Sequence, residues 1–326
     1  MRIKITKPIL ALVVVAASVL GGISAYAQNN QQGGSAIQIS PTRTEMTLDK
    51  TETKDFTVTV RNITSGPLVA KVYLHDFESD NETGEPRIVT DPNKTSAYSL
   101  KKFITNLNDV ELAKGESKNV KFTVAVPPDA VPGGYYGILR FAAVPKSQST
   151  DNNQPQVGLT ASVAHLVLVG VPGDVNAGLK IDGIWAERDG NRDRLFFQPP
   201  NKAAVRITNT GSGFLKPFGK VIITKGNKEV YSYEINKTSP PSNILPKSSR
   251  TFKDEIKNIG SFGRFTITAH ISYAEGGEVV SLSKSFWVIP TWLLVVILVL
   301  VIALVFTLYK LFERSRRRSR RKKHIR

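Results

Sequence analysis

The uncharged segment from Trp292 to Leu308 restricts the folds open to this chain more than any other feature. Thr307 is its one polar residue, and with the flank to Phe312 it makes a helix of about 31 Å, which matches the hydrocarbon core of a bilayer. A buried helix of a soluble domain is the alternative, which so uniformly apolar a run disfavours. We therefore predict a transmembrane helix over residues 287–312.

Aromatic and basic residues flank the predicted helix. Trp287 and Trp292 on one side and Tyr309 on the other suit the two membrane interfaces. The tail, residues 313–326, carries nine Lys/Arg and one Glu, and positive flanks stay in the cytoplasm. We predict a cytoplasmic stop-transfer signal with added attraction to anionic lipids. Nucleic-acid binding is disfavoured because no aromatic residue is interleaved. The stop-transfer residues are Arg314, Arg316, Arg317, Arg318, Arg320, Arg321, Lys322 and Lys323.

The N-terminus has the pattern of a secretory signal peptide. A basic start precedes an apolar stretch from Ile9 to Leu20, and Ala25-Tyr26-Ala27 precedes Gln28. Small residues three and one before the cut favour cleavage between Ala27 and Gln28; an uncleaved N-terminal anchor is the alternative. We therefore predict signal peptide 1–27 and a single-pass plasma-membrane protein with its N-terminal domains outside.

Composition excludes several kinds of site and partner. The chain contains no cysteine, which rules out disulfides, thiolate metal sites and a cysteine nucleophile. The net charge is +17, but much of it lies in the tail and the first seven residues. The remainder is only mildly basic, so the high net charge does not predict a nucleic-acid-binding protein.

Short strand-like runs fill the chain between its two ends. Residues Phe56 to Asn62 and Val120 to Val126 alternate apolar with polar, and Leu68 to Phe77 form another such run. Turn-rich segments separate these runs. Because no amphipathic helix occurs between residues 37 and 288, an all-β sandwich architecture is predicted.

A weak internal repeat indicates two domains. Residues 58–68 and 205–215 can be aligned so that each has a strand, an Asn, a Ser-Gly turn and a Leu. Later, LAKGES from Leu112 resembles LPKSSR from Leu245, and each precedes a strand. We therefore predict, after a linker at 28–36, domain 1 at 37–172, with a polar hairpin loop at 145–156, and domain 2 at 173–286.

The stretch VPPDAVPGGYYGILRF, residues 126–141, predicts a sharp corner before a central strand. Proline ends the preceding strand, and Gly133-Gly134 permits positive φ where the chain reverses. Arg140 favours an outward face for its neighbours Tyr136 and Ile138. A tyrosine corner, in contrast, would turn both inward, so the facing of Tyr135 and Tyr136 stays open.

These segments together resemble a known family. An Asn turn, LAKGES, a strand ending in VP and then PGGYYGILRF are similar to the first domain of WxL-interacting proteins, surface proteins of Gram-positive bacteria. The second half is similar more loosely, and uncharacterised membrane-anchored relatives from small-genome bacteria look closer still. The resemblance implies two tandem Ig-like β-sandwich domains followed by a single transmembrane α-helix. It also implies that the first domain contacts peptidoglycan and the second a WxL-type partner. LAKGES and GGYYG mark the fold, so no ligand-binding residue is carried over.

Candidate residues for chemistry are sparse. Asp189 to Asp193 imitates the start of a calcium loop but lacks its Gly and final Glu, so a hairpin turn is favoured. The acidic loop DFESDNETGEP, residues 76–86, is interpreted as solvated, with weak calcium binding as the alternative. Tyrosines could form a glycan-binding face, although core packing is favoured for most of them. The histidines lack ligand spacing and the Asn-X-Thr triplets are interpreted as turns. The histidines are His75, His165, His270 and His324. The triplets begin at Asn62, Asn81, Asn93 and Asn236, and the tyrosines are Tyr98, Tyr135, Tyr136, Tyr231, Tyr233 and Tyr273.

The sequence therefore predicts a non-enzymatic protein without cofactor or catalytic residues. We expect a membrane-anchored scaffold that contacts the cell wall, a surface partner protein or both through its Ig-like domains. An adhesin directed at a host or neighbouring cell is the alternative, because tandem Ig-like domains serve both uses.

Overall fold

The computed structural model describes residues 36–89, 91, 94–146, 162–273 and 277–323, with helix side chains described to Glu313. It confirms the predicted fold class: two tandem Ig-like β-sandwiches followed by one long apolar helix. The strands of the first sandwich are β1 (Ile37–Ser40), β2 (Arg43–Thr47), β3 (Thr53–Asn62), β4 (Leu68–His75), β5 (Phe77–Ser79), β6 (Pro86–Ile88), β7 (Val110–Leu112), β8 (Ser117–Ala125), β9 (Gly133–Pro145) and β10 (Ser162–Val171). The second contains β11 (Leu179–Arg188), β12 (Asn191–Arg192), β13 (Leu195–Phe196), β14 (Lys202–Asn209), β15 (Phe218–Lys225), β16 (Lys228–Glu234), β17 (Ser249–Glu255), β18 (Gly263–Ser272) and β19 (Val280–Val288), and helix α1 (Thr291–Lys323) follows.

The first sandwich packs a three-stranded sheet against a five-stranded one. The strand orders are β1-β3-β8 and β2-β10-β9-β4-β7. The chain changes sheet after β1, which pairs antiparallel with β3, so that β2 pairs parallel with β10. Alternating residues of both sheets meet in one apolar core, in which Phe122 stacks against Phe56 with ring centroids 5.4 Å apart. The hairpin formed by β5 and β6 lies outside these two sheets.

The second sandwich repeats this topology, with β12 added at the edge of its smaller sheet. Its sheets have the orders β12-β11-β14-β17 and β13-β19-β18-β15-β16, and β13 again pairs parallel with the last strand. Strand β14 therefore corresponds to β3, β18 to β9 and β19 to β10. Its separate core is centred on Phe265, which stacks against Phe286 at 5.5 Å.

A buried asparagine occupies the same position in both sandwiches. Asn62 ends β3, is fully buried, and donates through Nδ2 to the carbonyls of Gly66 (2.8 Å) and Ala113 (2.9 Å). Asn209 ends β14, is equally buried, and donates to Gly213 (2.7 Å) and Ile244 (3.1 Å). Each Oδ1 also accepts an N–H from the following turn. Each side chain thus ties the turn after its strand to a distant loop, which explains why the Asn recurs in the repeat.

The stretch around Gly133-Gly134 leads into a strand that is buried on both faces. Tyr135 packs on the first core, and its hydroxyl donates to the Val131 carbonyl (2.9 Å) and accepts the Val131 N–H (3.0 Å), which makes it the tyrosine corner. Tyr136 and Ile138 point the other way and are also buried, in a separate apolar cluster that includes Leu245 of the second sandwich. The outward face suggested by Arg140 is therefore covered by protein, because a second domain packs on it.

Helix α1 differs in its limits from the predicted span of 287–312. Trp287 and Val288 belong to β19 and pair with β18, so the helix begins at Thr291, directly after Pro290. It continues to Lys323, into the basic tail. The signal peptide, the Ala27–Gln28 cleavage point, Asn93, His324 and much of the loop at 145–156 lie outside the described residues, as do the side chains of the stop-transfer residues.

Replacing Asn62 by Ala is expected to lower the free energy of unfolding by about 2–4 kcal/mol, because buried backbone groups lose their partners. Asn209→Ala should destabilise the second sandwich to a similar extent. The control is Asn119→Ala, whose exposed side chain accepts a hydrogen bond from the Thr59 hydroxyl; a change of about 0.5 kcal/mol or less is expected there. Urea unfolding followed by circular dichroism on the detergent-solubilised chain measures these differences, and equal losses in all three variants would contradict the assignment.

Candidate functional site

The acidic loop forms a contact between the two sandwiches. The hairpin of β5 and β6 carries Glu82 to the second sandwich, where its carboxylate accepts from Arg192 (2.9 Å) and Arg206 (2.8 Å). The Glu82 carbonyl accepts the Thr251 N–H (2.7 Å), and Asn81 Oδ1 accepts the Ser249 N–H (3.1 Å). The loop expected to be solvated is thus an interdomain latch, which we define as residues 80–85.

Asp80 organises the turn of the latch. Its carboxylate accepts the backbone N–H groups of Glu82 (3.0 Å), Thr83 (2.8 Å) and Gly84 (2.7 Å). Burial acts to raise the pKa of Asp80, but these bonds and the one from the Thr83 hydroxyl outweigh it and lower the pKa to about 2. At Gly84, φ is +77° and a Cβ would lie 2.8 Å from Arg250 Cδ, so this turn requires glycine.

The other acidic residues of the loop do not converge on a cation. Asp76 is buried, with its Oδ2 3.1 Å from Lys101 Nζ, and Glu78 pairs with Lys94. Among the residues that the structure describes, no group of three His, Asp or Glu side chains is arranged to hold a metal ion. The arrangement of these carboxylates therefore gives no support to the calcium alternative.

An apolar cluster completes the junction between the sandwiches. Tyr136 packs against Phe77 and Phe214, with ring centroids 4.8 and 6.3 Å apart. At Gly134 a Cβ would lie 3.0 Å from the Phe214 ring, and the Gly134 N–H donates to the Ser212 carbonyl (2.8 Å). Both glycines belong to the start of β9, where they pair with β10, so the predicted chain reversal lies before them and their role is to admit the second sandwich.

The histidines and tyrosines of interest are dispersed. His165 is buried against Phe56, which lowers its pKa, and His270 bonds Ser281 on an outer sheet face. Tyr98 and Tyr136 lie at the junction and Tyr135 forms the corner. Tyr231, Tyr233 and Tyr273 pack on the second core. The structure thus does not bring the six tyrosines together as one glycan-binding face.

A basic groove opens at one side of the second sandwich and is the candidate binding site. It encloses about 920 Å³. Trp185 lies in it, with the Arg192 guanidinium 4.0 Å from its ring. Cationic side chains outnumber carboxylates along its wall, which favours an anionic ligand. The charged residues that line it are Arg192, Arg194, Arg206, Arg264, Lys284, Asp182 and Asp193.

The edge of β19 borders this groove, and it is covered less than the corresponding edge of the first sandwich. In the first sandwich β2 pairs with β10 over five residues. In the second, β13 pairs with β19 at two positions, Leu195 with Trp287 and Phe196 with Val288. Residues 280–286 of β19 therefore have a described strand partner, β18, on one side only. The groove was not predicted, because its walls come from β11, β14, β18 and β19, which are distant in sequence. The short segments that form β12 and β13 were the sequence signal that could have indicated the groove.

Helix α1 follows directly on β19. Residues Thr291–Glu313 form a helix long and apolar enough to cross a membrane, with none of its apolar window buried against the sandwiches. Trp292 and Tyr309 are exposed on it, near the two ends of this span, whereas Trp287 is exposed on β19.

Comparisons with known proteins identify no family. No family model and no curated protein sequence matches the chain. Among solved structures, the class 5 fimbriae chaperone CfaA is 18% identical over 78% of this chain and 99% of its own, with a TM-score of 0.38. The E. coli chaperone DraB is 16% identical over 78% and 97%, with a TM-score of 0.33. A chain from the Salmonella enterica SafA pilin–SafB chaperone complex is 11% identical over 78% and 97%, with a TM-score of 0.35. At such scores these similarities carry no inference about function.

Glu82→Gln is expected to loosen the latch without unfolding either sandwich. Exposed ion pairs contribute about 0.2–1 kcal/mol each, so loss of two should accelerate hydrogen exchange at the Thr251 amide by about twofold to thirtyfold. Glu229→Gln is the matched control, because its Lys220 partner lies within the second sandwich. Unchanged Thr251 exchange in Glu82→Gln, measured by mass spectrometry or NMR, would argue against the latch.

Asp80→Asn is expected to destabilise the chain by about 1 kcal/mol at pH 7, because the turn loses charge-assisted hydrogen bonds. The folded pKa of about 2 lies below the ordinary value of about 3.9. The stabilisation is therefore fully present above about pH 4 and lost as the pH falls towards about 2. Urea midpoints at several pH values should converge at low pH, whereas the exposed control Asp129→Asn should follow the parent protein throughout. A difference as large at pH 2 as at pH 7 would refute the role of this carboxylate.

Proposed function

We propose that this protein is a membrane-anchored binding protein of the cell surface, and that its groove holds an acidic, extended segment of a partner protein. The observation that carries the proposal is the coincidence of an excess of cationic side chains with a strand edge paired on one side only. An added strand would take its main-chain hydrogen bonds from β19, while side-chain charge would set its preference.

The groove offers such a segment three kinds of contact. Residues 284–286 of β19 line the groove and supply backbone donors and acceptors from an edge whose described strand partner lies on the other side. Lys284 supplies positive charge, and Trp185 supplies an aromatic surface. Arg192 and Arg206 already hold Glu82 at the latch, so the proposal assigns a partner carboxylate to Lys284.

The anchoring part of the proposal is that α1 spans the plasma membrane with the sandwiches outside and the basic tail in the cytoplasm. The length and apolar surface of Thr291–Glu313 support a span, and the Lys/Arg excess at 313–326 supports this orientation. Membership of the WxL-interacting family, and a contact of the first sandwich with peptidoglycan, belong to the same proposal. The resemblance of the sequence to that family supports both.

Binding is tested with the full chain and two variants. Lys284→Glu reverses a charge in the groove, and Lys228→Glu makes the same change on exposed β16 outside it. We expect pull-down from a surface-protein extract to recover a partner with the parent chain and Lys228→Glu, and at least tenfold less with Lys284→Glu. Bound partner should slow amide exchange in residues 280–286. Equal recovery by both variants would contradict the groove as the site.

The wall contact has its own test. Co-sedimentation of the chain with purified peptidoglycan sacculi should be saturable, and the Lys284→Glu change should leave it unaltered, because the first sandwich is expected to bind. Failure to sediment would remove the wall from the proposal while leaving the partner-binding groove in place.

A further inference from the structure

Exposed apolar side chains collect at the end of the second sandwich from which the helix leaves. Leu195, Phe197, Phe262 and Trp287 are 44%, 48%, 50% and 47% exposed. Leu195 pairs with Trp287 across β13 and β19, and Arg264 pairs with Trp287 across β18 and β19. Phe197 directly follows β13 and Phe262 directly precedes β18. We call these four apolar residues the basal rim.

The basal rim is held at a fixed short distance from the helix. The Trp287 N–H donates to the Arg194 carbonyl (2.7 Å) and the Ile289 N–H donates to the Phe196 carbonyl (2.8 Å). Pro290 is buried, and its carbonyl accepts the Leu293 N–H at 3.0 Å in the first turn of α1. Four residues of extended chain span at most about 14 Å. Trp287 therefore lies no farther than about 14 Å from the first residue of α1, which keeps the rim close to the start of the helix.

Cationic side chains accompany the rim. Arg194, Arg264 and Lys284 are exposed, and no described carboxylate forms an ion pair with any of them. Arg194 immediately precedes Leu195, while Arg264 is the cross-strand partner of Trp287. Aromatic side chains with cations next to a membrane-length helix are the composition found at the water–lipid interface.

We propose that the basal rim rests in the headgroup layer of the membrane that α1 crosses, and that Arg194 and Arg264 bind the phosphates of anionic phospholipids there, while Lys284 remains in the groove. This inference rests on the proposed anchoring. The rim residues would insert at the interface while the cations remain at the phosphate level. As a consequence, the second sandwich would have a fixed orientation on the membrane surface, with the groove opening next to the headgroup layer. It would not reorient freely about a flexible linker.

The absence of cysteine from the sequence makes a direct test feasible. An environment-sensitive fluorophore is attached to Phe262→Cys in the full chain, reconstituted in vesicles of phosphatidylcholine with phosphatidylglycerol. Lipids carrying a nitroxide at the headgroup or deep in the acyl chain act as quenchers. Val131→Cys, 68% exposed on the first sandwich, is the aqueous control, and Leu300→Cys reports on the middle of α1.

We expect the headgroup nitroxide to quench the Phe262 label at least threefold more than the Val131 label, and the deep nitroxide to quench the Leu300 label. Equal, weak quenching at Phe262 and Val131 with deep quenching at Leu300 would overturn the seated rim while leaving the anchoring intact. Absence of deep quenching at Leu300 would overturn the anchoring, and the present inference with it.

The phosphate role is tested by removing charge. Arg194→Gln with Arg264→Gln should abolish the rise in Phe262 quenching that phosphatidylglycerol produces over pure phosphatidylcholine. Arg61→Gln with Arg87→Gln, exposed arginines of the first sandwich, should leave that rise unchanged. A rise that survives the first pair would overturn the assignment of the cations. Loss of the rise on adding millimolar inorganic phosphate would show that a free anion, and not a lipid headgroup, is the preferred ligand, which also counts against the proposal.

Discussion

The packing of the second sandwich on the outer face of β9 governs how the two sandwiches are arranged. Gly134 allows Phe214 to approach, and Tyr136 fills the space between Phe77 and Phe214. Burial of side chains of this size contributes about 1.5–3 kcal/mol each. The latch adds directed ion pairs through Glu82, which by themselves are weak. The apolar cluster therefore provides the affinity between the sandwiches, and the latch sets their angle.

The same buried asparagine stabilises each sandwich. Asn62 and Asn209 satisfy the carbonyls of two loops that would otherwise be buried without partners. The same strand order follows in both halves, but the last strand is protected differently: β2 covers β10, whereas β13 covers little of β19. That difference gives the second sandwich an open edge, whereas the corresponding edge of the first sandwich is largely covered.

Local patterns predicted the fold well and the surfaces poorly. Alternation at residues 56–62 and 120–126, the recurring Asn and the apolar C-terminal run all act over a few residues, so β3, β8, the two sandwiches and α1 could be predicted from them. The latch could not, because Glu82 meets Arg192 and Arg206 more than a hundred residues away. Similarly, Arg140 suggested an exposed face that a second domain covers. A sequence pattern records that Tyr136 is apolar but not which domain buries it.

The apolar cluster holds the two sandwiches in one fixed arrangement, and a single distance distribution tests this. Spin labels at Thr57→Cys on the first sandwich and Lys228→Cys on the second, both exposed, can be measured by double electron–electron resonance in reconstituted vesicles. The account predicts one narrow distribution that does not change with ionic strength, because the apolar cluster holds the junction. A broad or bimodal distribution in the parent chain would mean that the sandwiches move independently, and would contradict it.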